Sequence, residues 1–216
     1  MKPVSLEKQS IAWFKLAECI GRGEKERALS LLRLLTYSMD SQPFIKQLEG
    51  DILSFFEDSQ ALTEYIKAAH MYQQEGNTVE ASAVYEKLIA LEQKVEFLEK
   101  IINLYTQLKD DKKVVYYQKS LCLKFLQKGF VAKGIQLLKA CNDELDGGEK
   151  IDIYKKVIFA AITHKYTQQE VVTDYLYKTL DGLLRFGSEK ELQTFLSDLK
   201  ALNAMWHQDA AEYLKK

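Results

Sequence analysis

Residues 65–85 read YIKAAHMYQQEGNTVEASAVY, and this stretch decides the fold class. Its apolar residues recur every three or four positions on both sides of Gly76-Asn77, which is the spacing of one face of an α-helix. A glycine followed by an asparagine here interrupts the pattern as a turn does. The stretch therefore predicts two helices joined by a short turn.

The same helical period continues along the chain of 216 residues, and no segment shows the sustained alternation of a β-strand. Only two residues are proline, Pro3 and Pro43, whereas proline makes up about 5 % of the residues of an average protein. So low a proline content favours helices joined by short turns. The pattern breaks at residues 21–23, 40–43, 57–59, 76–77, 92–94, 109–111, 129, 147–148, 167 and 187. We expect an all-α protein of about 11 or 12 helices, each antiparallel to the next because the turns are short.

Three of these breaks carry residues that commonly cap helices. Ser41 precedes Pro43, Asn77 precedes a helix that carries Glu80, and Thr167 stands three residues before Glu170. Ser, Thr and Asn side chains accept hydrogen bonds from the first free N–H groups of a helix. We expect capped helix starts at these three positions.

The spacing around Gly76 resembles the tetratricopeptide repeat, whose signature is W-x2-L-G-x2-Y followed by A-x3-F. The matching residues are Tyr65, Ala68, Ala69, Tyr72, Ala81 and Tyr85. Weaker copies start at Trp13, Leu98 and Leu121, so that the resemblance covers residues 10–142. The proline that closes each repeat in the family is absent, and the spacing shifts by one helix between Gly50 and Ala69. The less regular SNAP-like relatives are therefore an equally good comparison.

This resemblance to TPR-like and SNAP-like helical repeats implies a right-handed α-α superhelix. We expect a single solenoid domain over residues 1–216, with diverged repeats over 149–216 and a terminal helix that caps the stack. Trp206 lies on that last helix and either packs against the stack or anchors a partner.

The resemblance also implies a concave groove lined by the first helix of each pair. Counted from the clearest repeat, the groove residues are His70, Gln74, Asn103 and Gln107. Each pair is spaced i, i+4 on one helical face, and amide side chains both donate to and accept from a peptide backbone. The alternative is that all four are ordinary solvated residues, and the shifted spacing leaves open whether odd-numbered or even-numbered helices line the groove.

Charge is distributed unevenly along a chain whose net charge is −1. Residues 44–100 carry eleven carboxylates against five lysines, whereas residues 101–139 carry eight lysines against two aspartates. The candidate basic patch comprises Lys112, Lys113, Lys119, Lys124 and Lys128. It could attract an acidic peptide or the acidic segment of a second copy, or it is a solvated lysine-rich face. Since residues 101–139 contain no arginine, we do not expect a nucleic-acid partner.

Adjacent aromatic residues give a further hint of a binding surface. Successive positions of a helix lie about 100° apart, so the rings of Phe55 and Phe56 cannot both face one narrow core. We expect one of the two to face a groove or a subunit contact.

Catalytic and metal-binding signatures are missing from the sequence. The histidines His70, His164 and His207 have no metal-ligand spacing, and neither a phosphate loop nor a nucleophile motif occurs. The three cysteines are far apart and odd in number, which favours a reducing compartment. We expect no catalytic residues, no metal and no cofactor.

These observations together predict a cytoplasmic protein-interaction module that does not insert into membranes. It would bind a peptide or helical segment of another protein, as an adaptor, a scaffold or a secretion-type chaperone. One alternative is a self-assembling structural protein whose acidic and basic segments meet between copies. A small-ligand or peptide sensor, or an enzyme, is the other.

Overall fold

The computed structural model describes residues 6–37 and 39–215, with side chains from Ile11 onward. Pro3 and the opening segment of the sequence lie outside the described residues, and so does Lys216 at the end of the last predicted helix.

Within the described ranges the chain forms twelve α-helices and one short 3-10 turn at Asn142–Glu144, and it contains no strand. The prediction of an all-α protein of about a dozen helices is confirmed. The helices are α1 Leu6–Gly21, α2 Lys25–Thr36, α3 Gln42–Phe55, α4 Gln60–Gln74, α5 Thr78–Leu91, α6 Val95–Leu108, α7 Asp111–Gln127, α8 Val131–Cys141, α9 Gly147–Thr163, α10 Gln169–Phe186, α11 Glu189–Leu202 and α12 Ala204–Tyr213.

Turn chemistry explains where these helices end. Gly76 has a φ of 75° and Gly129 a φ of 80°, in the left-handed region that residues with a Cβ rarely adopt. The chain therefore leaves α4 and α7 at a glycine, as the sequence indicates.

The predicted caps have mixed outcomes. Ser41 accepts a hydrogen bond from the N–H of Phe44, so that cap is confirmed. Asn77 precedes α5 without a side-chain cap. The prediction at Thr167 is wrong, because α10 begins two residues later and its N-cap is Gln168.

Contacts between Cα atoms divide the chain into two compact units, Met1–Asp111 and Lys112–Lys216. In the first unit each helix packs on the next one along the chain, most extensively α3 on α4 and α4 on α5. Its buried apolar side chains come from all of α1–α6, and those of the first three helices form one cluster that includes Leu16, Leu32 and Ile52.

The second unit has a core of its own. Buried side chains from α7 to α12 form one continuous cluster that includes Leu138, Ile158, Leu180 and Leu199. Helix α9 packs on α10, and α11 packs on α12. Trp206 of α12 is only 6 % exposed and belongs to this core, whereas the capping role of the helix stays a prediction.

Sequential packing of short-linked helices is thus present in both units. One domain over residues 1–216 stays a prediction. Among the helices that the structure describes, none combines the length and the apolar character needed to cross a membrane.

Candidate functional site

The four predicted groove residues lie on two helices of the first unit. His70 and Gln74 are on α4, and Asn103 and Gln107 are on α6. All four are exposed, and none of their side chains forms a hydrogen bond with another described residue. Helices α4 and α6 both pack against α5. These side chains are therefore accessible to a partner, and their role in binding stays a prediction.

The residues that match the repeat signature are buried, whereas the four predicted groove residues are exposed. Tyr65, Ala68, Ala69 and Tyr72 are buried on α4, and Ala81 and Tyr85 are buried on α5. Residues that repeat at this spacing thus form the helix-to-helix contact. The accessible residues His70 and Gln74 lie on the side of α4 opposite to these buried residues.

Four lysines of the candidate basic patch lie on α7, and Lys128 directly follows the end of that helix. At about 100° per residue, Lys112 and Lys119 fall on one side of α7, and Lys113 and Lys124 fall on another. Lys119 also forms an ion pair with Glu149 of α9. The patch is therefore split, and the charge of Lys119 is neutralised within the chain.

An open groove of about 300 Å³ lies between α1 and α3 in the first unit. We call it the α1–α3 groove. Six of the apolar residues that line it are Trp13, Ala17, Ile20, Leu48, Ile52 and Phe55.

Two aromatic rings of this groove remain accessible to solvent. Phe55 is 62 % exposed and Trp13 is 37 % exposed. Phe56, by contrast, packs partly buried against the core cluster of the first helices. The expectation that one ring of the Phe55–Phe56 pair faces a groove is thus met by Phe55.

The polar residue of the α1–α3 groove is Asp51. Its carboxylate accepts a hydrogen bond from the Tyr65 hydroxyl at 2.7 Å and pairs with the Lys87 ammonium of α5. Burial, together with the hydrogen bond to Asp51, raises the pKa of Tyr65 above its ordinary value. Asp51 therefore fixes α3 to α4 and α5, which holds one side of the groove in place.

Sequence reasoning did not identify this groove as a site. Ala17 is exposed in this groove. The signal that could have revealed it is the spacing of Trp13, Ala17 and Ile20, an apolar face of α1 beside the buried residues Leu16 and Cys19.

The second unit has an open hollow of about 310 Å³ between α7 and α9. Its apolar lining comes from Leu123, Leu126, Phe159 and Ala160, and Gln127, Lys156, Thr163 and His164 supply its polar side chains. We call it the α7–α9 hollow.

A neighbouring hollow of about 350 Å³ lies between α9 and α11 and includes Phe159 and Phe195. The two rings are 5.8 Å apart between centroids. We call this the α9–α11 hollow, and the two hollows together the Phe159 groove, because Phe159 belongs to both.

The cysteines and histidines do not form a reactive centre within the described ranges. Cys19, Cys122 and Cys141 are free and buried, and burial raises the pKa of Cys122 to about 12. In the described part of the chain no group of His, Cys, Asp and Glu side chains could hold a metal ion.

No protein-family model matches the chain, and no curated protein matches it either. The class that the fold itself defines is that of all-α proteins built from sequentially packed helices, an arrangement consistent with helical repeats and α-solenoids.

Proposed function

We propose that this chain is a TPR-like helical repeat protein that binds a segment of another protein and carries out no reaction of its own. The observation that carries this proposal is the α1–α3 groove, whose lining is apolar apart from Asp51. Phe55 and Trp13 leave large apolar areas in contact with water there. Exposed apolar areas that are grouped together mark interaction sites more often than scattered ones do.

The repeat resemblance supports the same proposal. The signature positions of α4 and α5 are buried, and the glycine between the two helices has a positive φ. We propose that the helices continue as a right-handed superhelix and that the whole of 1–216 acts as one domain. Stacked helix pairs present an extended surface that is already ordered before binding, which lowers the entropic cost of association.

The partner segment that suits the α1–α3 groove carries a bulky apolar side chain. That side chain would lie between Trp13 and Phe55, where it would replace contacts with water by contacts with Ala17, Ile20 and Leu48. The exposed pairs on α4 and α6 would bind the partner backbone separately if the even-numbered helices also take part.

We place this binding in the cytoplasm, in the role of an adaptor, a scaffold or a secretion-type chaperone. The three unpaired, buried thiols support a reducing compartment.

The test is affinity capture with the purified chain and with the Phe55→Asp variant, from a lysate of the cells that produce the protein. The matched control is Tyr37→Asp, because Tyr37 is 79 % exposed and does not line the groove. We expect a partner that the wild-type chain and the Tyr37 variant retain and that the Phe55 variant loses. Equal recovery by all three proteins contradicts the assignment of the groove.

The same capture distinguishes a hetero-partner from self-association. If the recovered protein is the chain itself, light scattering at low and at high salt decides how the copies meet. An assembly held by the acidic and basic segments dissociates as salt rises, because screening weakens exposed charge pairs.

A further inference from the structure

The Phe159 groove combines an apolar floor with lysine side chains. Leu123, Leu126 and Ala160 line the α7–α9 hollow, and Phe195 lines the α9–α11 hollow. Phe159 belongs to both. A single extended or helical segment could therefore place two apolar side chains on either side of this ring.

Lysines are the cations of the groove. Lys156 lines the α7–α9 hollow, is exposed, and forms no ion pair with another described residue. Lys155 and Lys190 line the α9–α11 hollow, where the Lys155 ammonium lies 6.0 Å from the centre of the Phe195 ring. Lys124 follows Leu123 directly on α7, about 100° further round that helix, and Lys128 follows Gln127, the last residue of α7.

Carboxylates are fewer in the same place. The α7–α9 hollow has none in its lining. The α9–α11 hollow has Glu191 and Asp198. The Glu191 carboxylate already accepts hydrogen bonds from the N–H and hydroxyl of Ser188, as part of the cap of α11. The two hollows thus contain three lysines and two carboxylates, and one of these carboxylates already accepts the hydrogen bonds of Ser188. The groove therefore favours a negatively charged ligand.

The α7–α9 hollow is also fixed in shape at one end. His164 follows α9 and lies against Gly129, where a Cβ atom would come within 2.8 Å of the imidazole Nδ1. The imidazole therefore occupies a defined place at the rim, at a distance of two helical turns along the chain from Lys156. An acidic segment would meet a hydrogen-bonding group at each end of this hollow.

We propose that the Phe159 groove binds an acidic segment of another protein, with bulky apolar side chains in its two hollows and carboxylates beside Lys155, Lys156 and Lys190. This inference rests on the proposed function and specifies the partner chemistry for the second unit. Charge complementarity selects the acidic segment, and the apolar floor retains it.

The experiment selects ligands for the purified full chain from a display library of random peptides of about 16 residues. Enriched peptides are then synthesised with a fluorescent label, and their affinities are measured by anisotropy. We expect the enriched peptides to carry a net negative charge and at least one bulky apolar residue. Binding should weaken about tenfold or more in Lys156→Glu, which reverses the charge, and in Ala160→Trp, which fills the hollow.

The matched control is Lys139→Glu, which makes the same charge change at an exposed position of α8 that lines neither hollow. It should keep the wild-type affinity within about twofold. Circular dichroism and thermal melting of each variant show whether it is folded, and Lys156→Glu alone decides the matter if Ala160→Trp fails to fold.

Three outcomes overturn the inference: no enrichment, enrichment of peptides without an acidic excess, and equal binding by Lys156→Glu and wild type. Peptides that lose affinity in Phe55→Asp but keep it in Lys156→Glu bind the α1–α3 groove instead. That result overturns this inference and leaves the proposed function standing. Peptides that keep their affinity in both Lys156→Glu and Phe55→Asp bind neither groove, and that result counts against both proposals.

Discussion

Gly50 of α3 lies directly against the ring of Tyr65 on α4. A Cβ atom at position 50 would come within 2.7 Å of the Tyr65 Cδ1 atom, which is closer than two carbon atoms pack without repulsion. Tyr65 is 3 % exposed and its hydroxyl is hydrogen-bonded to Asp51, so the ring cannot move aside freely. The absence of a side chain at Gly50 therefore allows α3 and α4 to approach each other closely.

Gly50→Ala should destabilise the protein despite the better helix propensity of alanine. Overpacking costs about 1–3 kcal/mol, and the change from glycine to alanine in a helix returns at most about 1 kcal/mol. We expect a net loss of about 1–2 kcal/mol in the free energy of unfolding, measured by urea denaturation. The control is Gly21→Ala, which meets no atom within 4 Å and should change stability by less than about 0.5 kcal/mol. A Gly50 variant as stable as wild type would show that α3 and α4 do not meet at this ring.

Glu64 makes the stability of the first unit depend on pH. It lies between Lys67, at 2.6 Å, and Lys46, at 2.9 Å, with 12 % of its side chain exposed. Burial by itself raises the pKa of Glu64, but the hydrogen bonds and charges of the two lysines outweigh burial, and the pKa falls below its ordinary value of 4.5. The folded protein therefore holds the charged carboxylate more strongly than the unfolded chain does.

It follows that Glu64 contributes its full stability above about pH 4.5 and loses it as the pH falls through the lower folded pKa. Glu64→Gln should cost about 1–2 kcal/mol at pH 7, and the difference from wild type should shrink in acid. Urea denaturation at a series of pH values measures this difference. Glu99→Gln serves as the control, since Glu99 is exposed and pairs with no described residue. A Glu64 effect that stays constant down to acid pH would contradict the assigned charge pairing.

Ser188 caps α11 in the second unit. Its hydroxyl accepts a hydrogen bond from the N–H of Glu191, whose carboxylate accepts one from the N–H of Ser188 in return. Ser188→Ala should lower the free energy of unfolding by about 1 kcal/mol. Thr167→Ala is the comparison, because Thr167 accepts no capping bond and its loss should have little effect. Thermal melting of both variants compares the two losses of stability. A larger loss for Thr167→Ala than for Ser188→Ala would contradict the assignment of the caps.

The exposed pairs on α4 and α6 allow a separate test of the groove that the repeat resemblance implies. Changing His70, Gln74, Asn103 and Gln107 together to alanine should weaken binding of the captured partner. Helicity and melting temperature should stay nearly unchanged, because none of the four is buried. The affinity of the variant for the isolated partner measures the effect. An unchanged affinity would show that these residues of the even-numbered helices α4 and α6 do not contact the partner.

Much of the fold follows from local sequence signals. The apolar period indicates the helices, and turn residues such as Gly76 and Gly129 mark their ends, because glycine lacks a Cβ and adopts a positive φ readily. The caps at Asp146, Ser188 and Asn203 could also have been found, since each stands just before its helix. Thr167 has a similar pattern and does not cap the helix, because α10 starts one residue later than the pattern predicts, with Gln168 as its N-cap.

The candidate sites depend on contacts that a local pattern does not contain. Phe55 and Phe56 are equally apolar in the sequence, and only the packing of α3 decides that Phe55 is the exposed ring. Phe159 likewise belongs to two hollows because α7, α9 and α11 are neighbours in space. The lysines of α7 form one block in the sequence, but the helix separates them onto two sides.

The central claim is that the α1–α3 groove holds a segment of another protein. The most direct measurement places a photo-crosslinking amino acid at position 17, where Ala17 is exposed in the groove, and at position 83 as a control, where Ala83 is exposed outside it. Both proteins are irradiated in a lysate of the producing cells, and crosslinked peptides are identified by mass spectrometry. We predict a crosslink from position 17, and not from position 83, to a segment that carries bulky apolar side chains. Crosslinks of equal yield from both positions, or none from position 17, would contradict the claim.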